Sequence, residues 1–148
     1  MTTKRTFDSP WTPREVGLRM PKFTVNLIVH EIARSVDFYR DVLGERTLHC
    51  DVDFAALELA DLEFLLHADH AYDHHSLGQR ISATGPRGGG AELRLLGVDP
   101  DEVERRAKFR GASIIQEAGD TAHVWRDVIV ANPDGYTWAV GILIPNLK

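Results

Sequence analysis

Chemistry in this chain has to come from a short roster of side chains. His67 lies in an alternating run, Leu62–Ala68, and Glu92 and Arg94 share one side of another, Ala91–Leu96. An imidazole or a carboxylate in a partly dry cleft can act as a general base, so Glu92 and His67 are the candidate catalytic residues. Arg94 and Arg126 can recognise an anionic or carbonyl group of a ligand, although Glu92 with either arginine also reads as a plain cross-strand ion pair. His70, Asp73, His74 and His75 are metal-donor types, with His70 and His74 four residues apart, but nothing around them supports a helix. They read as a solvated linker rather than an ion site. Gly88-Gly89-Gly90 lacks the Lys-Ser/Thr that follows a phosphate loop and reads as a tether. Cys50 is the single cysteine, so no internal disulfide can form, which suits a reducing cytoplasm. No Ser-His-Asp or Cys-His arrangement suggests itself.

The elements that must position these groups repeat along the chain. Residues 1–20 mix charge, two prolines and Trp11 without periodicity and read as an arm, with Trp11 as its anchor on the body or on a partner. Residues 21–68 form a first half. Lys22–Val29 alternates as a strand, apolar residues recur from Ile32 to Leu43 at helical spacing, and Gly44 stops that helix. Strands follow at Arg46–Val52, Phe54–Leu59 and Leu62–Ala68, the last two joined by a turn at Ala60-Asp61. Residues 69–90 break every period and read as a mobile linker long enough to serve as a lid. Residues 91–144 then repeat the order. Ala91–Leu96 is a strand, and Asp99-Pro100-Asp101-Glu102 caps and starts a helix that carries basic residues to its end at Gly111. Ala112–Glu117 is the next strand, and the hairpin Val124–Ile144 closes the half. In that hairpin Asn132-Pro133-Asp134-Gly135 is turn chemistry. With Asn132 opposite Gly135, Arg126, Val128 and Val130 share a face with Thr137, Ala139 and Gly141, and Trp125, Ile129, Tyr136, Trp138 and Val140 take the bulky core side. Each half is therefore strand, helix and three strands, an internal duplication.

Composition excludes several partners. The chain has 148 residues, net charge −5 and no long basic run, so nucleic acid and anionic membrane are disfavoured. No apolar stretch approaches a membrane span, and the expected location is the cytoplasm.

The phrases Val29–Gly44, with R-S-V-D-F-Y-R-D-V-L-G, and Trp125–Trp138, W-R-D-V-I-V-A-N-P-D-G-Y-T-W, resemble the vicinal oxygen chelate superfamily. That group contains glyoxalase I, bleomycin-resistance proteins, fosfomycin-resistance enzymes and extradiol dioxygenases. The resemblance covers roughly Pro21 to Ile144. It implies an α+β fold of paired βαβββ modules, forming a curved eight-stranded mixed sheet around a cleft, and a homodimer. Enzymes of the superfamily hold a divalent metal from four strand positions, which fall here on Thr24, Leu65, Glu92 and Ala139. Only Glu92 among them is a good ligand, and a shift along one strand adds His67.

Parity of the strands puts Thr24, Asn26, Glu63, Leu65, His67, Glu92, Arg94, Arg126, Val128, Thr137 and Ala139 on the ligand-facing side. This is an apolar wall with a few polar groups. The first expectation is a protein that binds a small organic molecule without metal or other cofactor. The second is a lyase, isomerase or dioxygenase in which His67 and Glu92 hold one divalent ion with help from His74. The third is metal-free acid–base catalysis by His67 or Glu92. A homodimer also follows from sheet edges that need covering.

Overall fold

The computed structural model describes residues 10–145. Its strands fall into two four-stranded sheets of identical topology, β1-β4-β3-β2 and β5-β8-β7-β6. In chain order the elements are α1 (Pro13–Arg19), β1 (Asn26–Val29), α2 (Ile32–Phe38) with a π turn over Tyr39–Leu43, β2 (Arg46–Cys50), β3 (Phe54–Leu59) and β4 (Leu62–Ala68). The second series is β5 (Leu93–Leu96), α3 (Pro100–Arg110), β6 (Ser113–Asp120), β7 (Trp125–Ala131) and β8 (Thr137–Leu143). The duplicated strand–helix–three-strand pattern is therefore present, as two mixed sheets in an α+β fold. By contacts the chain divides into two compact units, residues 1–36 with 45–81 and residues 37–44 with 82–148.

In the first unit β1 runs parallel to β4, and β4-β3-β2 form an antiparallel series. The Ala60-Asp61 turn has positive φ at both residues, 45° and 68°, the twist that a two-residue hairpin requires. It fixes Phe54 opposite His67 and Ala56 opposite Leu65. Leu27, Val29, Ala55, Leu57 and Leu66 are buried on one side of the sheet. Asn26, Phe54, Ala56, Leu65 and His67 alternate onto the other, which we call the ligand side.

In the second unit α3 begins at Asp99, whose carboxylate accepts from the Asp101 N–H at 3.0 Å, and ends at a left-handed Gly111. Val103 and Ala107 of α3, with Leu95, Val128, Val130, Trp138 and Val140, are buried on the core side. Tyr39 anchors this core. Its hydroxyl accepts from Trp138 Nε1 at 3.1 Å and from Asn132 Nδ2 at 3.2 Å. Burial holds the phenol well above its ordinary pKa, against the two hydrogen bonds, so it stays neutral.

The closing hairpin corrects the expected register. Ala131 faces Thr137 and Val128 faces Val140, so the connection has five residues, Asn132–Tyr136, instead of four. Asn132 is the cause. Its Oδ1 accepts from the N–H groups of both Asp134 and Tyr136, and its own N–H donates to the Tyr136 carbonyl at 2.9 Å. Because side chains alternate with period two, one extra loop residue turns over a whole strand. β8 keeps Thr137, Ala139 and Gly141 on the ligand side, but β7 presents Trp125, Asp127 and Ile129 there, and Arg126 and Val128 point to the core side. Trp125 is accordingly not a core partner of Trp138.

Two further expectations change. Residues 69–90 carry defined structure, with short 3-10 turns at Asp69–Tyr72 and Gly78–Arg80. Their glycine-rich end rests on the hairpin loop, where the Arg87 N–H donates to the Asp134 carbonyl at 2.8 Å. A Cβ on Gly135, whose φ is 104°, would stand 2.8 Å from that same nitrogen. The arm contains a helix, α1, whose N-cap Thr12 accepts from the Glu15 N–H at 3.2 Å, with Pro13 at the first helical position. Residues 1–9 of the arm lie outside the described residues. No helix among those described is long and apolar enough to cross a membrane.

Candidate functional site

The first sheet's ligand side carries a row of rings. His49 stacks on Phe54 with centroids 4.5 Å apart, Phe54 stacks on His67 at 5.4 Å, and Tyr72 meets His67 edge-on at 5.8 Å. His75 leans on Tyr72 at 4.5 Å. The strands explain the row. Phe54 and His67 are directly opposed across β3 and β4, and His49 of β2 lies next in register, beside Ala56. Tyr72 arrives from the 3-10 turn that follows β4.

Hydrogen bonds settle the protonation of this group. Asn26 Nδ2 donates to the Tyr72 hydroxyl at 2.6 Å, which leaves Asn26 Oδ1 as an acceptor for His67 Nδ1, also at 2.6 Å. His67 must therefore carry its proton on Nδ1. Burial lowers the His67 pKa below its ordinary value, opposed by the charge of Asp51, so the ring is neutral at pH 7 and Nε2 is a bare lone pair. Nε2 has no hydrogen bond to any described residue. Tyr72, having accepted from Asn26, keeps its own proton to donate. An acceptor and a donor thus stand side by side against an aromatic plate.

The remaining candidates are placed as follows. Thr24 precedes β1 and spends its hydroxyl on the Pro21 carbonyl at 2.7 Å. Leu65 belongs to an apolar cluster with Val16, Leu48 and Ala56, against which Trp11 and Phe54 pack. Glu63 pairs with Arg19 of α1 at 2.7 Å. In the second unit Glu92 is exposed and holds Arg94 at 2.8 Å, and Arg94 also reaches the buried Asp127 at 3.5 Å. Thr137 donates to the Ala91 carbonyl at 3.4 Å, and Ala139 is fully buried. Arg126 is bound on the core side by Asp101 of α3 at 2.7 Å and by Asp120 at 3.1 Å, and Val128 is fully buried there. Neither faces the ligand side, because of the five-residue loop. In the linker His70 pairs with Asp53 at 2.7 Å, while Asp73 and His74 are exposed.

A divalent ion needs several carboxylate or imidazole donors converging from different strands. The four positions that the resemblance singles out offer an engaged hydroxyl, an isobutyl group, one carboxylate already paired with arginine, and a methyl group. That set does not fit the ion. Substituting His67 adds a single imidazole nitrogen. Among the described residues no three His, Cys, Asp or Glu side chains gather closely enough to hold a metal.

Sequence reasoning missed Phe54, Tyr72 and His49. Phe54 was within reach, since a two-residue turn at Ala60-Asp61 sets it opposite His67. Tyr72 was not, because only the path of the chain after β4 brings it back to Asn26.

Residues 23–140 match the family described as Glyoxalase/Bleomycin resistance protein/Dioxygenase superfamily. No protein of curated function matches the sequence significantly. Among solved structures, a glyoxalase/bleomycin resistance protein/dioxygenase family enzyme from Burkholderia phytofirmans aligns with TM-score 0.67 and 21% identity, over 81% of this chain and 96% of its own. A protein of unknown function from Agrobacterium tumefaciens gives TM-score 0.67 and 24% identity, over 83% and 94%. A lactoylglutathione lyase from the same species gives TM-score 0.60 and 17% identity, over 84% and 96%. At these identities the structural likenesses speak for the fold.

Proposed function

The chain belongs to the glyoxalase/bleomycin resistance protein/dioxygenase superfamily, and on that premise we propose that it binds a small, flat organic molecule on the ligand side of its first sheet, without a metal ion. The observation that carries this reading is the His67–Asn26–Tyr72 group on Phe54. A ring of the ligand stacks on the exposed part of the aromatic plate, a contact of about 1 kcal/mol beyond area burial. A hydroxyl or N–H of the ligand donates to His67 Nε2, and a ligand oxygen accepts from Tyr72. Affinity and shape suffice for sequestration, so no Lewis acid enters.

The test uses 2-naphthol, which has a flat ring and one hydroxyl, titrated into the protein by NMR. Binding that shifts the His67 ring signals and weakens about tenfold in His67→Phe is expected, because that variant keeps the stacked ring and removes the acceptor. Absence of binding, or equal binding by the variant, refutes the reading. Stoichiometric metal in protein purified without chelators, lost on His67→Phe, refutes the metal-free part.

The same lone pair favours a second reading, metal-free general base catalysis. His67 Nε2 would take a proton from an acidic position of the ligand while Tyr72 steadies the oxygen that gains charge. Turnover of the bound ligand, abolished in His67→Phe, separates it from plain binding. We also read the protein as a cytoplasmic homodimer, since β1, β2, β5 and β6 are edge strands of their sheets. Light scattering in solution decides the oligomeric state.

A further inference from the structure

We infer that the ligand carries a short alkyl group, and that a pocket closed over the first sheet by the N-terminal arm receives it. This deepens the binding site proposed above and rests on it, and the experiment below separates the failure of one from the failure of the other.

The arm builds the pocket. The Trp11 N–H donates to the Leu48 carbonyl of β2 at 3.0 Å, and His49 Nδ1 lies 2.8 Å from the Trp11 carbonyl while its Nε2 lies 2.7 Å from Asp51 Oδ2. These contacts fix the chain ahead of α1 along an edge strand of the sheet. α1 then lies against the ligand side, where Val16 packs on Leu48, Ala56 and Leu65. Between them is a hollow, with Trp11, Val16 and Arg19 as its roof and Leu48, Ala56 and Leu65 as its floor. The roof lies outside residues 23–140, the stretch that matches the family, so this part of the site belongs to the arm of this chain.

Continuity says which molecule enters. Ala56 faces Leu65 across β3 and β4, two residues along from the pair Phe54 and His67, a step of about 7 Å. Phe54 packs on the same cluster that walls the hollow. A bicyclic ring lying on Phe54 spans most of that step, so a substituent on its far ring comes to Ala56 and Leu65.

Chemistry says what the substituent is. The polar side chains that line the hollow are engaged. Thr24 Oγ1 donates to the Pro21 carbonyl at 2.7 Å, and Arg19 Nη2 donates to Glu63 Oε1 at 2.7 Å, with its guanidinium 4.0 Å over the Trp11 ring. The carbons of Val16, Leu48, Ala56 and Leu65 are left to meet an occupant. Thr24 and Leu65, two of the four positions that the resemblance singles out for metal ligands, both line the hollow. An apolar group therefore goes where a hydrophilic one would lose its hydration without gaining a partner. The interior room is close to that of a single water. It takes a methyl or ethyl group and has no space for a long chain or a further ring. The ligand class is a flat hydroxyaryl molecule with one such group on the ring remote from its hydroxyl.

The experiment titrates the full-length protein by NMR with 2-naphthol, 6-ethyl-2-naphthol and 7-ethyl-2-naphthol. One ethyl isomer should bind about tenfold tighter than 2-naphthol, since each buried carbon strengthens binding about fourfold. Its ethyl protons should give nuclear Overhauser contacts to the methyl groups of Val16 and Leu65. A hexyl chain at the same position should add nothing beyond the ethyl gain. Val16→Phe fills the hollow from the arm side and should make the ethyl isomer bind no tighter than 2-naphthol. Protection of the Trp11 amide from hydrogen exchange shows whether the arm of that variant is docked. The gain should be lost in either case, through a filled hollow or a missing roof, and a gain that survives overturns the pocket.

Equal affinities of 2-naphthol and both ethyl isomers for the wild-type protein overturn the pocket and leave the binding site standing. A gain without contacts to Val16 does the same. An ethyl isomer that binds tightly against Val16, and is not weakened by His67→Phe, keeps the pocket and overturns the acceptor role of His67. Failure of every probe to bind overturns the binding site and the pocket with it.

Discussion

The two sheets share one topology and have built opposite chemistries on it. In the first, the ligand side of the parallel pair carries Asn26 and Leu65, then Ile28 and His67. In the second the same places carry Arg94 and Ala139, then Leu96 and Gly141. One surface is aromatic, neutral and tied by amide and imidazole dipoles. The other is small-residued and ionic, with Arg94 shared between Glu92 and Asp127. A neutral network can leave a lone pair over, as it does on His67 Nε2. In the second set one guanidinium is shared by two carboxylates, so the polar groups there are engaged with one another. Duplication supplies the scaffold twice, and side-chain choice gives the two copies different surfaces.

The contrast can be broken most severely at the packing beneath each surface. Leu65→Ala removes the centre of the cluster under the arm and should cost about 3 kcal/mol in urea unfolding, with loss of arm protection. A smaller loss would mean that the arm collapses into the gap. On the other sheet Gly141→Ala should cost about 2 kcal/mol, because its Cβ would stand 2.6 Å from the Arg126 carbonyl oxygen and 2.9 Å from Asp127 Cβ. A neutral outcome in the same assay would show that β7 and β8 can part. Next in size is the pH response of the first site. Since burial depresses the His67 pKa, the ring is neutral above its unfolded value of about 6.5. Its contribution to stability is intact there and is lost as pH falls, because the unfolded chain takes up the proton more readily. 2-Naphthol binding should weaken as pH drops through the lower, folded-state value, and a binding curve flat across the acid range would contradict the assignment of the lone pair. Tyr72→Phe removes one neutral hydrogen bond to the ligand and should weaken 2-naphthol about fivefold. The smallest effect belongs to the ionic surface. Glu92 and Arg94 are both exposed, so Glu92→Gln should change stability by about 0.5 kcal/mol or less and leave 2-naphthol binding untouched. A large effect on binding would move the site to the second sheet.

Much of this was legible before any coordinates. The duplicated order followed from alternation, helical spacing and the caps at Asp99, Gly44 and Gly111, all local signals that tertiary packing had no reason to override. The pairing of Phe54 with His67 was implicit in the Ala60-Asp61 turn. The arm helix was missed, because residues 1–20 lack an apolar period, although Thr12-Pro13-Arg14-Glu15 carries an N-cap with proline and an acid behind it. The roles of Arg126 and Val128 were misread for a single reason. Asn132 uses its side chain to close a loop one residue longer than turn chemistry alone suggests, and the error passed to every residue of β7.

Taken alone, then, the order of residues determined most of the strands and helices, that the pattern occurs twice, and that Glu92 alone among the usual metal positions is a good donor. These depend on period, caps and residue type, which act over a few neighbours. Only the tertiary structure decided which strand face is which, that Tyr72 returns to Asn26, and that His49 stands between an arm carbonyl and a carboxylate. The face of β7 follows from Asn132 bonding two and four residues ahead, and the other two depend on hydrogen bonds between residues about forty positions apart in the chain, such as the 46 that separate Asn26 from Tyr72. No local propensity encodes such a bond, because its two ends meet only after the sheet has formed.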